Sequence, residues 1–384
     1  MNGASDMGGL SGMSDMSDMS DMSDMSDMSD MSDMSDMSDM SDMSDMSDMS
    51  DMSDMSDMSD MSDMSDMSGR ASGGLIVCVS LNTAIDKRLL VPGFQLGAVN
   101  RAVQVDATAG GKGLNVARVA QSLGADVLAT GFAGGSNGDW IRRKLDSIGL
   151  PHQMVPIVQE SRICLNVIDS ETGRSTEMLE PGPDISAAEK GQFLALWQKL
   201  CVPRRWLTLS GSLPRGLGDA FYAQLVGIAR GAGACVVLDT SGEPLKLGVM
   251  GGPHTVKPNE EEFRQWSGAD PRDYAAVRRV AAELGSYGVQ TLLVSLGSEG
   301  CLAVKPNGSL WLAFPPAVDA VNPVGSGDSF VAGWTVACSR GLDVPDALRC
   351  AVAAGTVNAM SPGTGEVNRE AAEAMAMRVV VTEL

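Results

Sequence analysis

Histidine is almost absent, with His152 and His254 the only two in 384 residues. That scarcity excludes metal clusters built on several imidazoles and makes a serine-protease-type triad a poor organising principle. The seven cysteines stand singly at 78, 164, 201, 235, 301, 338 and 350, and none forms a Cys-x-x-Cys pair. Isolated thiols in apolar runs read as buried, reduced side chains, not as disulfides or zinc ligands. Aromatic residues make up only 4%. No uninterrupted apolar run reaches the roughly 18 to 20 residues needed to span a bilayer, and no basic segment with an apolar core opens the chain. The expectation is a cytoplasmic protein without membrane or nucleic-acid partners.

What is present begins with a repeat. From Met13 to Asp66 the triplet Met-Ser-Asp recurs unchanged in 18 copies, and residues 1 to 68 hold 19 Asp with no Glu, Lys or Arg. Of the formal charge of -21, only -2 therefore belongs to the other 316 residues, so the acidity is a property of the tail. The same segment takes 21 of the 27 methionines, which removes any case for a methionine-rich binding surface elsewhere. A period of three fits neither the 3.6 of a helix nor the 2 of a strand, and an Asp in every triplet repels its neighbours. We expect a disordered tail over residues 1–72 and a single folded domain over residues 73–384.

Within that domain short β-branched runs alternate with helical patterns. Strands are expected at Leu75–Val79, Val127–Thr130, Trp206–Ser210, Cys235–Asp239, Thr255–Lys257 and Thr291–Leu296. Helices are expected at Leu114–Leu123, Asp139–Ile148, Asp219–Gly231, Asp273–Leu284, Ser329–Cys338, Pro345–Asn358 and Asn368–Met377. Strands separated by helices imply an α/β fold with a mostly parallel sheet covered on both faces. Two stretches, about 87–106 and 162–179, alternate like strands without intervening helices. They suit a small antiparallel sheet projecting beside the ligand crevice as a lid.

Two helix starts carry the chemistry. In Asn322-Pro323-Val324-Gly325-Ser326-Gly327-Asp328 the glycines let successive backbone N–H groups converge on an anion, the helix N-terminus favours negative charge, and Asp328 stands at the lip. A carboxylate beside a phosphate needs a reason, and activating a hydroxyl nucleophile is one; the plain alternative is a helix-start residue favoured by the dipole. The second start, Ala109-Gly110-Gly111-Lys112-Gly113, lacks the Walker A spacing but offers close backbone approach and a cation. Two anion-friendly turns suit a protein that handles two phosphorylated molecules.

Taken in order along the chain, these motifs resemble the ribokinase and phosphofructokinase-B family of carbohydrate kinases from about Leu75 to the C-terminus. Ala109–Arg118 and Asn322–Gly333 match the two signature regions. Between them lie Asn82-Thr83-Ala84-Ile85-Asp86, Gly131–Gly138, Ser210-Gly211-Ser212-Leu213-Pro214, Lys257-Pro258-Asn259 with Glu262, and Ser295-Leu296-Gly297 with Gly300. The resemblance implies a ribokinase-like three-layer αβα domain with a β-sheet lid that forms a homodimer contact. It also implies Asp328 as base and the amides of Gly325, Ser326 and Gly327 as anion hole. Magnesium would arrive with ATP and be held through water by Glu262 and Asn259, and the nucleotide would be bordered by Lys257, Asn259, Ser295, Gly297, Gly300 and Asn358. Asp86, Arg101, Gly111, Lys112, Asn115, Arg162 and Ser212 fall on the substrate side.

Cations decide the substrate class, because a phosphorylated sugar needs Lys or Arg whereas a neutral sugar does not. Arg101, Lys112 and Arg162 therefore point to a hexose phosphate, although Arg101 and Arg162 would also pass as surface charges. Resemblance to the hexose-phosphate branch implies ATP-dependent formation of a hexose 1,6-bisphosphate, with tagatose 6-phosphate preferred and fructose 1-phosphate the alternative. A catalytically silent sugar-phosphate sensor, or an interaction protein defined by its repeat, are the readings from other classes.

Overall fold

A strand buried on both faces sends alternate side chains to opposite sides, and β1 (Ile76–Ser80) shows it. Val77 and Val79 join one apolar cluster, Ile76 and Cys78 the other, all fully buried. The computed structural model describes residues 74–384, so the Met-Ser-Asp tail expected over residues 1–72 lies outside them. After β1 come β2 (Ala84–Val91), β3 (Gln104–Gly110), α1 (Lys112–Ser122), β4 (Val127–Gly134), α2 (Gly135–Ser147), β5 (His152–Ile157), β6 (Arg162–Asp169), β7 (Ser175–Leu179), α3 (Ala187–Leu200) and β8 (Trp206–Ser210). The chain continues through α4 (Phe221–Gly231), β9 (Cys235–Asp239), α5 (Gly242–Met250), β10 (Thr255–Val256), α6 (Glu260–Ser267), α7 (Tyr274–Tyr287) and β11 (Thr291–Ser295). It ends with β12 (Cys301–Val304), β13 (Leu310–Phe314), α8 (Ser326–Ser339), α9 (Val344–Met360), α10 (Arg369–Ala376) and β14 (Val380–Glu383).

The main sheet has ten strands in the order β14-β13-β12-β11-β10-β9-β8-β1-β4-β5. From β5 to β11 all neighbours run parallel, whereas β11 to β14 pair antiparallel. Phe193 and Trp197 of α3, Phe221 of α4, Leu245 of α5, Phe263 of α6 and Val277 of α7 cover one face. Leu114 of α1, Ile141 of α2, Trp334 of α8, Leu348 of α9 and Met375 of α10 cover the other. This is the three-layer α/β architecture expected from the alternation of strands and helices.

A second sheet has the order β3-β2-β6-β7. It differs from the expected antiparallel arrangement at its centre, where β2 and β6 run parallel from Ala84↔Arg162 to Val91↔Asp169. The reason lies in the main sheet. β2 follows β1 and β6 follows β5, and β1 and β5 leave that sheet in the same direction, so their continuations do too. No helix among the described residues is long and apolar enough to cross a membrane. All seven cysteines are unpaired.

Candidate active site

The carboxyl ends of β1, β8, β9, β10 and β11 deliver Ser80, Ser210, Asp239, Lys257 and Ser295 to one cleft of about 1740 Å³, which the second sheet also lines. Parallel sheets place ligands at this edge, and the volume exceeds the roughly 300 to 1,000 Å³ of a single small-molecule site.

The phosphate cradle opens α8. Gly325 has φ +83°, and a Cβ there would stand 2.7 Å from Thr364 Cγ2 and 3.0 Å from Gly365 N, so both conformation and space require glycine. The Ser326 N–H donates to the Pro323 carbonyl at 3.1 Å. That corrects the expected anion hole: the Ser326 amide closes the turn, while those of Gly325, Gly327 and Asp328 have no backbone partner among the described residues. Asn358, expected to border the nucleotide, is instead fully buried and does not line the cleft. Its Nδ2 donates to Val324 O at 2.9 Å and Ser326 Oγ at 3.1 Å, and its Oδ1 accepts from Gly365 N–H at 2.8 Å. It braces the cradle from behind, with both amide hydrogens spent on Val324 and Ser326 and the whole side chain buried away from the cleft.

Asp328 is 6% exposed and accepts a 2.8 Å hydrogen bond on Oδ2 from Asn115 Nδ2. Burial pushes its carboxyl up to about 6; Lys112, the Asn115 donor and Lys257 pull it down, and Asp239 adds to the rise. A carboxylate with this affinity is suited to accept a proton near neutrality. Across the floor, Asp239 lies 2.9 Å from Lys257 Nζ and 3.9 Å from Lys112 Nζ. Burial raises the Asp239 carboxyl, but Lys112 and Lys257 outweigh it and hold the group below the usual carboxylate range. Lys112 in turn is held protonated, first by Asp239, then against its own burial by Asp328 and Glu262. Lys112 thus lines the same cleft as Arg162, with its ammonium on the side of Asp239 and Asp328. Lys257 Nζ lies 4.0 Å from where a Cβ on Gly327 would stand, close to the cradle.

The opposite end of the cleft gathers Asp86, Asn82, Gly111, Arg162 and Ser212. Arg162 donates from Nε to Asn82 O at 3.2 Å and from Nη1 to Glu180 O at 3.0 Å, leaving Nη2 without a partner among the described residues. Asn82 donates to Ser212 Oγ at 3.1 Å. Gly111 caps α1 at φ +103°, and its N–H donates to Asp86 Oδ2 at 3.3 Å. Burial raises the Asp86 carboxyl, opposed by the Gly111 hydrogen bond and by Arg162 and Arg118. Arg101 is the exception: it is exposed on the connection between β2 and β3 and does not line the cleft, and no hydrogen bond or ion pair among the described residues holds its side chain.

Of the residues expected to border the nucleotide, Ser295, Gly297 and Gly300 line the cleft. Gly300 is also structural, since a Cβ there would lie 1.8 Å from Ala313 O. Asn259 and Glu262 form a reciprocal capping box on α6: Asn259 Oδ1 accepts from Glu262 N–H and Glu262 Oε2 from Asn259 N–H, both at 2.8 Å. Asn259 lines the cleft as well as capping the helix, and the cap uses only one lone pair of its Oδ1. No group of three or more His, Cys, Asp or Glu among the described residues could cage an ion. The donor set, with Glu262 presenting one unused carboxylate oxygen, fits magnesium held by one or two carboxylates together with water and ATP phosphates.

Two contributors were not singled out from the sequence. Asp239 was signalled only by an acidic residue closing the apolar strand Cys235–Asp239, and Arg118 only by a cation beside the apolar stripe of α1.

The model of the pfkB family carbohydrate kinases matches residues 75–371. A candidate phosphofructokinase of Staphylococcus aureus is 30% identical, with a TM-score of 0.70 over 81% of this chain and 99% of that one. Escherichia coli phosphofructokinase-2, solved in complex with potassium, is 26% identical with a TM-score of 0.75, over 80% of this chain and 99% of its own. Thermotoga maritima ribokinase, at 22% identity and a TM-score of 0.64 over 79% of this chain and 99% of that one, shares the fold. An acidic residue poised at an amide cradle and a match over nearly the whole described chain lead to the same place: this protein belongs to the pfkB family of carbohydrate kinases.

Proposed function

We propose that this sugar kinase transfers the γ-phosphoryl group of ATP to a hydroxyl of a hexose phosphate, giving a hexose bisphosphate. The observation that carries the reading is the buried Asp328 carboxylate, raised to about 6, at the open amides of Gly325 and Gly327. In this reading Asp328 takes the proton of the acceptor hydroxyl, while the amides of Gly325, Gly327 and Asp328 stabilise the equatorial oxygens. Lys112 and Lys257 neutralise charge on the moving group; Glu262 would hold magnesium through water, and that ion, when bound, would supply charge compensation for the leaving diphosphate. Arg162, already fixed by two carbonyls, offers Nη2 to the phosphate of the sugar.

The finer assignment is a ketohexose 6-phosphate accepted at its 1-hydroxyl. Tagatose 6-phosphate is the substrate favoured by the Asn322–Asp328 motif. Fructose 6-phosphate differs from it only at C4, and E. coli phosphofructokinase-2 has been solved with fructose-6-phosphate. Fructose 1-phosphate would bind reversed. A coupled assay on all three tests the reading; ATP consumption with none of these sugar phosphates would overturn it and favour a silent sensor.

The second sheet serves in this reading as a lid and as the contact of a homodimer. Its exposed apolar side chains, Val105, Met178 and Leu179, with Leu96, Val99 and Val103 on its loop, supply the surface. Unpaired thiols accord with a cytoplasmic enzyme.

Arg162→Ala is expected to lower kcat/KM for the sugar phosphate by about ten- to a hundred-fold, the cost of one charge-assisted contact, with the KM for ATP nearly unchanged. Steady-state kinetics with each substrate varied would show it. An equal loss toward ATP would move Arg162 out of the acceptor end.

A further inference from the structure

Arg118 lies one turn beyond Asn115 on α1 and does not line the cleft. Its Nη1 donates to Ala109 O at 3.1 Å, and its Nη2 to Asn115 Oδ1 at 2.5 Å and Thr364 O at 3.2 Å. All three acceptors are neutral. A carboxamide can present either end to a carboxylate, but a guanidinium can only donate. With Oδ1 held against Arg118, the Asn115 amide has one orientation left, and its Nδ2 must face Asp328, which it does at 2.8 Å. Reversed, the amide would set an oxygen against the carboxylate and an N–H against the guanidinium. Thr364, the third anchor, belongs to the loop that backs the cradle: a Cβ on Gly325 would meet Thr364 Cγ2 at 2.7 Å.

We propose that Arg118 is a positioning residue of the phosphoryl-transfer site: it fixes the Asn115 amide as a donor to Asp328 and ties α1 to the loop behind Gly325. The other Asp328 oxygen is thereby left for the acceptor hydroxyl. This rests on the reading of Asp328 as base. The charged and polar groups that face Asp328 are Asn115 and Lys112 on α1, Asp239 at the end of β9 and Lys257 after β10. Those that face Arg118 are Asp86 on β2, Glu366 before α10 and Asp328.

The test measures pH–rate profiles of Arg118→Gln, Arg118→Lys, Asn115→Ala and Arg118→Gln combined with Asn115→Ala. Arg118→Gln is expected to lower kcat about ten- to a hundred-fold, as misplacement of a catalytic group does, with both KM values within about threefold. The acid limb of its kcat/KM profile moves to higher pH, because the donor that holds the Asp328 carboxyl down is no longer oriented. Arg118→Lys keeps one donor and falls between Arg118→Gln and the parent. Asn115→Ala moves the acid limb the same way, and adding Arg118→Gln moves it no further, since the two act through one contact. If Arg118→Gln does not fold, Arg118→Lys with Asn115→Ala gives the same comparison. An unmoved acid limb with kcat within threefold of the parent overturns the proposal, as does a loss carried by KM or displacements that add in the double variant. Asp328→Asn run alongside separates the two ideas. Full turnover there sinks the base itself, whereas an inactive Asp328→Asn beside parent-like Arg118 variants sinks only the positioning.

Discussion

Asp328→Asn is expected to abolish most turnover while leaving both ligands bound. The amide keeps the shape of the carboxylate and stays beside Asn115, but it cannot take a proton from the acceptor. Loss of a general base costs a factor of roughly 10² to 10⁴ in kcat. Dissociation constants for ATP and sugar phosphate, measured by calorimetry on the variant, should stay within about threefold of the parent. In the parent, activity should fall on acidification through about pH 6, as the buried carboxyl of Asp328 takes up its proton. A variant that turns over within a few-fold of the parent would show that the proton leaves by another route.

The second large effect is structural. Asp239→Ala removes the carboxylate that lies 2.9 Å from Lys257 Nζ, and both side chains are at most 5% exposed. A buried ammonium left without its partner costs about 3 to 5 kcal/mol, a large part of the roughly 5 to 15 kcal/mol that holds a domain together. Urea denaturation of the two proteins gives the difference directly. Replacing both partners, with Asp239→Leu and Lys257→Met, should recover much of the loss, because no charge is then stranded. The pH dependence follows from the depressed native affinity of Asp239 for protons. Its contribution is present above the ordinary carboxylate pKa of about 3.9 and disappears as pH falls through the lower native value. A difference below about 1 kcal/mol between parent and Asp239→Ala would mean that water, not the lysines, solvates this carboxylate.

The parts of the site written in consecutive residues were legible in the sequence. Gly325 to Asp328 form a cradle because one turn of backbone makes it, and the Asp328 carboxylate follows within the same turn. The three-layer fold was legible for the same reason, since strands such as Trp206–Ser210 and Cys235–Asp239 carry their own apolar runs. What was not legible depends on distance along the chain. Asn115 and Asp328 are 213 residues apart, and no local pattern says that a substrate-side asparagine has turned to the base. The Lys112–Asp239 attraction is likewise long-range, so Lys112 was placed by its glycine neighbours instead of by its counterion. Asn259-x-x-Glu262 shows a different limit: the spacing that suggests a metal motif is also that of a helix capping box, and α6 was not anticipated. The helix α3 was missed although Ser186 and Glu189 make the same reciprocal cap. Arg101 carried charge but no information on direction.

With Asp328 as the proposed base, folding is set against catalysis. A carboxyl whose native affinity for protons is raised contributes stability that is fully present below its unfolded pKa and is lost as pH rises through the native one. For Asp328 that window runs from the ordinary carboxylate range, about 3.9, up to about 6. Above it, where the enzyme has its working charge, the fold holds an ionised side chain that it would prefer neutral, at a cost on the order of 2 to 3 kcal/mol. The Asp328→Asn protein should therefore be the more stable of the two at pH 7 to 8 and should lose that advantage near pH 4, a crossing that denaturation curves at the two pH values would reveal. Equal stability at pH 7 to 8 would mean that the carboxylate is better solvated in the fold than its burial implies. Selection for a tougher protein and selection for a faster one pull this position in opposite directions.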